Sequence, residues 1–150
     1  MNYFAYETLL TIHERVLSVS GGLPGVKDEG LLRSPIEIIQ HDGYYPTLQD
    51  KMTHLVYSLI KNHGFNDGNK RSALASGAML LMLNGYDGFI PYYFRIFEQV
   101  MVLVADNRLS KEQLGILMKD MVSYGTLTEA SLMLIIDNLS DSSKTVAGNE

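Results

Sequence analysis

The chain has 150 residues, room for one domain but too little for two cores of ordinary size. A content of 46% hydrophobic and 19% charged residues excludes a largely disordered polymer. A net charge of -5, with only 12 scattered Lys and Arg, excludes an extended nucleic-acid surface. No cysteine is present, so disulfides and thiolate metal sites are absent. Met1 to Glu7 show no basic segment leading into an apolar run, and the apolar stretch from Ala78 to Leu83 is far too short for a bilayer. A cytoplasmic protein without membrane contact is expected.

Apolar spacing is helical almost throughout, which predicts an all-α fold. Phe4, Leu9, Ile12, Val16 and Leu17 share one side of a first helix, which ends before the turn Ser20-Gly21-Gly22-Leu23-Pro24-Gly25. A short segment follows Asp28. Ser34-Pro35-Ile36-Glu37 then reads as an N-cap, a proline at the first helical position and a capping-box acid. Gly43 to Pro46 is a connector carrying Tyr44 and Tyr45, and a short flap hairpin near Asp42 to Pro46 is the one strand pairing the pattern allows.

Thr47 to Asp50 opens the next helix, whose stripe of Met52, Leu55, Val56, Leu59 and Ile60 stops near Asn62 or His63. A helix from around Gly68 to about Leu83 is apolar on nearly every face, as a central helix buried in a bundle would be, and Asn84-Gly85 closes it. Helices are further expected from about Pro91 to Ala105, from Ser110 to Ser123 and from Thr126 to Leu139. Ser110 with Gln113, and Thr126 with Glu129, carry capping-box signatures, and Leu109 with Leu114 a hydrophobic staple. Residues 1–139 therefore read as a single helical domain with 126–139 as an extra C-terminal helix, and 140–150 as a polar, frayed tail.

Reactive side chains gather in His63-Gly64-Phe65-Asn66-Asp67-Gly68-Asn69-Lys70-Arg71, between two strong helices. Gly68-Asn69-Lys70-Arg71 opens a helix, where free backbone N–H groups and the helix dipole attract an anion. Gly68 lets a phosphate approach the backbone, and Asn69, Lys70 and Arg71 add side-chain donors. Asp67 stands where a carboxylate can hold a Mg²⁺ bridging phosphate oxygens. His63, across the turn, carries the imidazole suited to take a proton from an attacking hydroxyl. Phe65, apolar among polar neighbours, plugs into the core. These residue types alone define a nucleotide or phosphoryl site with His63 as base. The bland alternatives are that Asp67 and Asn69 merely cap a helix and that Lys70 and Arg71 are a solvated pair.

The segment resembles the signature of the Fic/Doc family, His-x-Phe-x-(Asp/Glu)-(Gly/Ala)-Asn-(Gly/Lys)-Arg, and is most similar to the Doc branch of Phd–Doc toxin–antitoxin systems. The resemblance extends through Gly21 to Gly25 and Gly30-Leu31-Leu32 upstream, and to the Leu109-Ser110 helix start downstream. It implies a Fic-fold helical bundle and transfer from a nucleoside triphosphate, here ATP, to a protein hydroxyl. His63 would be the base, Asp67 the Mg²⁺ ligand, and Asn69 and Arg71 phosphate contacts. Fic adenylyltransferases usually have Gly where Lys70 stands and a second Arg where Leu74 stands. In the Doc branch the Lys accompanies ATP bound in the reverse sense, which implies phosphorylation rather than AMP transfer, with elongation factor Tu as the suggested target. A Lys there fills room an α-phosphate would need and brings a point charge to a terminal phosphate.

The resemblance also implies an antitoxin whose flexible segment folds into the active-site groove. It gives the flap bearing Tyr44 and Tyr45 a part in aligning the target. Self-inhibition by a Ser/Thr-x-x-x-Glu helix is not expected, since the Glu would lack an Arg at Leu74. An adenylyltransferase remains the alternative within enzymes. A catalytically silent binding module is disfavoured by retention of His63, Asp67, Asn69 and Arg71. His41-Asp42 invites comparison with metallohydrolases, but His13 and His54 are the only other histidines outside the motif. Whether helix 126–139 covers the bundle or makes a homo-oligomer stays open.

Overall fold

The computed structural model describes the chain through residue 148, with side chains through residue 139. Seven α-helices follow in order: α1 (Tyr6–Ser20), α2 (Glu29–Ile38), α3 (Leu48–Asn62), α4 (Asn69–Leu83), α5 (Ile90–Ala105), α6 (Lys111–Tyr124) and α7 (Glu129–Gly148), with a 3-10 turn at Asp87–Phe89 before α5. The described residues contain no strand, only one isolated antiparallel bridge between Val26 and Phe65. No helix among them is long and apolar enough to cross a membrane. The fold is the expected all-α bundle.

The all-round apolar helix α4 is its centre, packed against α1, α3 and α5. Ala73, Ala78, Leu80 and Leu81 are buried on it, and Ser76 satisfies its buried hydroxyl by donating to Ser72 O at 2.7 Å. The small Gly77 admits Tyr93 of α5, whose fully buried hydroxyl donates to Leu74 O at 3.0 Å. Helix α3 lies between α4 and α6 and begins with a complete capping box, Thr47 with Asp50. Ser110 and Gln113 cap α6 as expected, with Leu109 and Leu114 buried beside them.

Three details depart from the sequence expectations. Ser34 is not an N-cap: Asp28 caps α2, accepting from Leu31 N, and Pro35 lies inside the helix. Proline lacks the N–H that would bond Leu31 O four residues back, and the Asn62 side chain donates to that carbonyl instead, at 3.1 Å. The break in α2 is thereby converted into a tie to the end of α3. At the start of α7, Thr128 rather than Thr126 is the cap: its hydroxyl accepts from Ser131 N while donating to Asp120 Oδ2.

No hairpin forms near Asp42 to Pro46. The N–H groups of Tyr44 and Tyr45 both bond back to His41 O at 3.1 Å, winding the chain on from α2. The fully buried Lys51 ammonium fixes that turn by donating to Ile39 O and Asp42 Oδ1. Asp42 is thus the partner of a lysine, and no group of three or more metal-type ligands occurs among the described residues, so the His41-Asp42 metallohydrolase comparison falls away. Helix α7 continues past Leu139, and the polar tail expected over 140–150 lies outside the described side chains.

Gly77→Ala should test the close approach of α4 and α5. A Cβ at 77 would overlap the Tyr93 hydroxyl and lie 3.0 Å from its Cζ. The gain in helix propensity, about 1 kcal/mol, is outweighed if the phenol must move and leave Leu74 O unpaired. A net loss of about 1–3 kcal/mol is expected from overpacking plus the broken bond, read as a lower urea midpoint at unchanged slope.

Candidate active site at the amino end of the central helix

The loop 63–68 is held from three sides. Beneath it, Phe65 is buried, and His13 of α1 stacks on its ring with centroids 3.7 Å apart and planes 2° from parallel. Along its edge, the segment 25–28 pairs with it: Asn66 N donates to Gly25 O, while Lys27 N and Asp28 N both donate to Gly64 O. Within it, Asn69 closes a ring on Phe65, accepting from Phe65 N and donating to Phe65 O, each at 3.0 Å. The Asn69 side chain is therefore engaged with the loop and stands at the start of α4.

His63 terminates α3 in the left-handed conformation, φ 51° and ψ 47°. A non-glycine residue there carries about 1–2 kcal/mol of local strain. Gly64 sits in close packing: a Cβ there would run into the Leu32 side chain, which would have to shift, and lie 3.3 Å from Asp28 O. The contact of Leu32 on one side and the Asn62 tie on the other fix the direction in which His63 leaves the helix.

Asp67 is exposed but tightly oriented. Its Oδ2 accepts from Leu23 N at 3.1 Å and its Oδ1 from Gly68 N at 2.8 Å. These two N–H groups, aided by His13 and Arg71, hold its pKa below the ordinary carboxylate value. Gly68 follows with φ 76°, the left-handed geometry glycine supplies without strain, and caps α4. Ile60, His63, Asn66, Asp67, Gly68, Asn69, Lys70, Arg71 and Ala105 together enclose a cleft of about 410 Å³. The structure thus gathers His63, Asp67, Gly68, Asn69, Lys70 and Arg71 into one cleft at a helix N-terminus, where an anion is favoured, with Phe65 in the core beneath. One carboxylate beside anion-binding donors also fits Mg²⁺, which typically uses one or two carboxylates plus substrate phosphates.

The two tyrosines lie elsewhere. Tyr44 is 73% exposed, whereas Tyr45 stacks on His54 and its hydroxyl is 2.8 Å from His54 Nδ1. Both line a separate cleft of about 320 Å³ with Asp50, Thr53, Lys111, Glu112 and Gly115. His13 was not singled out in the sequence as a site residue. Its signal was there: an imidazole four residues from Leu9 and from Leu17, on an apolar stripe, must find a buried partner.

A sequence model of the Fic/DOC family matches residues 3–81, which run from the start of α1 through the central helix. The chain belongs to that family. Among its relatives, "Protein kinase doc" of Escherichia phage P1 is 36% identical over 93 residues, covering 59% of this chain and 73% of that protein. "Toxin Doc" of Mycolicibacterium smegmatis is 42% identical over 69 residues, covering 43% of this chain and 53% of that protein. Both similarities place the chain in the Doc branch.

His54 yields a test that is independent of any activity. Burial first, and the Lys111 ammonium second, lower its pKa from 6.5 to about 4. Below 6.5 the unfolded chain takes up a proton that the folded chain refuses, so this contribution to stability is whole above that pH and drains away as pH falls toward about 4. The lowered carboxylates Asp42, Asp67 and Asp120 lose theirs only further down, as pH passes below 3.8. Urea midpoints should therefore fall between pH 6.5 and about 4 in the native chain and fall less steeply in His54→Gln. Equal slopes in the two would show that His54 is not the group responsible.

Proposed function

We propose that the chain is a Doc-like toxin that transfers the γ-phosphate of ATP to a hydroxyl of a protein target, and so inhibits translation. The observation that carries the proposal is Lys70 in the same cleft as His63, Asp67 and the first turn of α4, with the apolar Leu74 one turn on, where a second guanidinium would serve an α-phosphate. The names of the two relatives, a kinase and a toxin, support it. Elongation factor Tu is the target the family resemblance suggests, and the cytoplasm is then the place of action.

In this scheme His63 takes the proton of the attacking hydroxyl. The new bond forms between that oxygen and Pγ, the bond from Pγ to the β–γ bridging oxygen breaks, and ADP leaves. Lys70, Arg71 and the N–H groups at the start of α4 hold the phosphate chain. Asp67 is the residue that would hold Mg²⁺, and when bound that ion would neutralise charge on the transferring group. In this reading an antitoxin segment enters the active-site groove by way of the groove between α1, α4 and α5. That groove comprises two adjoining clefts of about 400 and 530 Å³ that share Arg15, Val16, Ala75 and Phe94, and its second cleft reaches Arg71 of the active site. A flexible segment could bury apolar side chains against Met79 and Phe94 there while approaching the phosphate donors.

His63→Ala should lower transfer by about 10²–10⁴ with little change in melting temperature. Asp67→Ala should lose the Mg²⁺-dependent transfer; a native rate insensitive to chelation would remove that assignment. Lys70→Gly should weaken phosphorylation roughly 10- to 150-fold, the equivalent of one charge-assisted contact of about 1.5–3 kcal/mol. The decisive measurement is transfer from ATP labelled separately at α and γ, with purified elongation factor Tu as acceptor. Delivery of the α label by the native chain would replace the kinase proposal with an adenylyltransferase.

A further inference from the structure

We propose that His13 is a positioning residue for Asp67, acting through the peptide bond between Asp67 and Gly68. The inference rests on the assignment of Asp67 as the cation ligand. His13 is 5% exposed, and its Nε2 lies 2.8 Å from Asp67 O. A carbonyl oxygen only accepts, so Nε2 carries the proton and donates. The same peptide unit presents its N–H on the opposite edge, where Gly68 N donates to Asp67 Oδ1 at 2.8 Å. One planar group therefore joins the imidazole to the carboxylate: His13 sets the plane, and the plane sets the carboxylate. Bonding at the carbonyl also polarises the N–H of that unit, strengthening the second bond. The left-handed Gly68 leaves the plane little support from a side chain, and His13 reaches it from below, stacked on the Phe65 ring. This is the way outer groups commonly orient the ligand that touches an ion.

Two substitutions separate positioning from packing. His13→Phe keeps a ring to stack on Phe65 and loses the donor. His13→Gln keeps an N–H of similar reach and loses the ring. Three measurements on the full chain are compared: the amide proton shift of Gly68, Mn²⁺ affinity with a non-transferable ATP analogue, and γ-phosphate transfer against Mg²⁺ concentration. In His13→Phe the Gly68 amide should move upfield. Mn²⁺ affinity should fall about three- to tenfold, the loss of one ordinary hydrogen bond. Transfer should need correspondingly more Mg²⁺ while its rate at saturating Mg²⁺ changes less. In His13→Gln the amide and the metal requirement should stay near native although the melting temperature drops.

An unshifted Gly68 amide and native Mn²⁺ affinity in His13→Phe overturn the proposal, as does an equal loss in both variants that follows their melting temperatures. If the phenyl variant fails to fold, His13→Gln decides: a native Gly68 amide supports the proposal and a displaced one overturns it. Asp67→Ala distinguishes the two levels. Should it bind Mn²⁺ like the native chain, the ligand assignment fails and takes the positioning role with it; should it lose Mn²⁺ while His13→Phe does not, only the positioning role fails.

Discussion

A surface loop carrying His63, Asn66, Asp67 and Lys70 toward solvent has little of its own to hold it, and the burial of Phe65 supplies the hold. Fully burying a phenyl ring contributes about 1.5–3 kcal/mol, and here it does so at the midpoint of the loop, with His13 beneath and Asn69 gripping the backbone on both sides. Everything reactive is within a few residues of that anchor. The conformation of His63, left-handed and strained, and the capping Gly68 on the other side are the two bends the chain makes to bring Phe65 down into the core and α4 back up.

The electrostatics follow from where α4 begins. Its free N–H groups, with Lys70 and Arg71, make a local anion site on a chain whose net charge is -5. Asp67 stands at the same place, and the N–H groups of Leu23 and Gly68 keep it ionised. A carboxylate and a phosphate sharing a few ångströms repel each other unless a cation lies between them. That repulsion is the physical reason for proposing a divalent cation in this cleft.

Much of this was legible in the residues. The helical periods, the capping box at Ser110, the all-round apolar α4 and the plug Phe65 are local patterns, and local patterns are what a sequence displays. What stayed hidden was long-range. Pro35 carries the marks of a helix start, yet a proline fits inside α2 because Asn62, distant in sequence, satisfies the carbonyl it frees. Lys51 is fully buried on Ile39 O and Asp42, partners that local pattern does not display.

The half of the chain beyond the family match is tied to the half within it at the flap. Lys111 opens α6, and its ammonium lies 2.8 Å from His54 Nδ1, the same atom that the Tyr45 hydroxyl reaches from the other side. Helix α7 is latched to α6 in turn by Asp120, whose Oδ2 accepts from Thr128 N, Thr128 Oγ1 and Ser131 Oγ. A chain of polar contacts thus runs from the flap turn through α3 to α6, with α7 fixed behind it. Tyr45 and the loop that carries His63 are thus held by different contacts, the one by His54 and the other by Phe65 and His13. Both share α3, whose middle carries His54 and whose end carries His63.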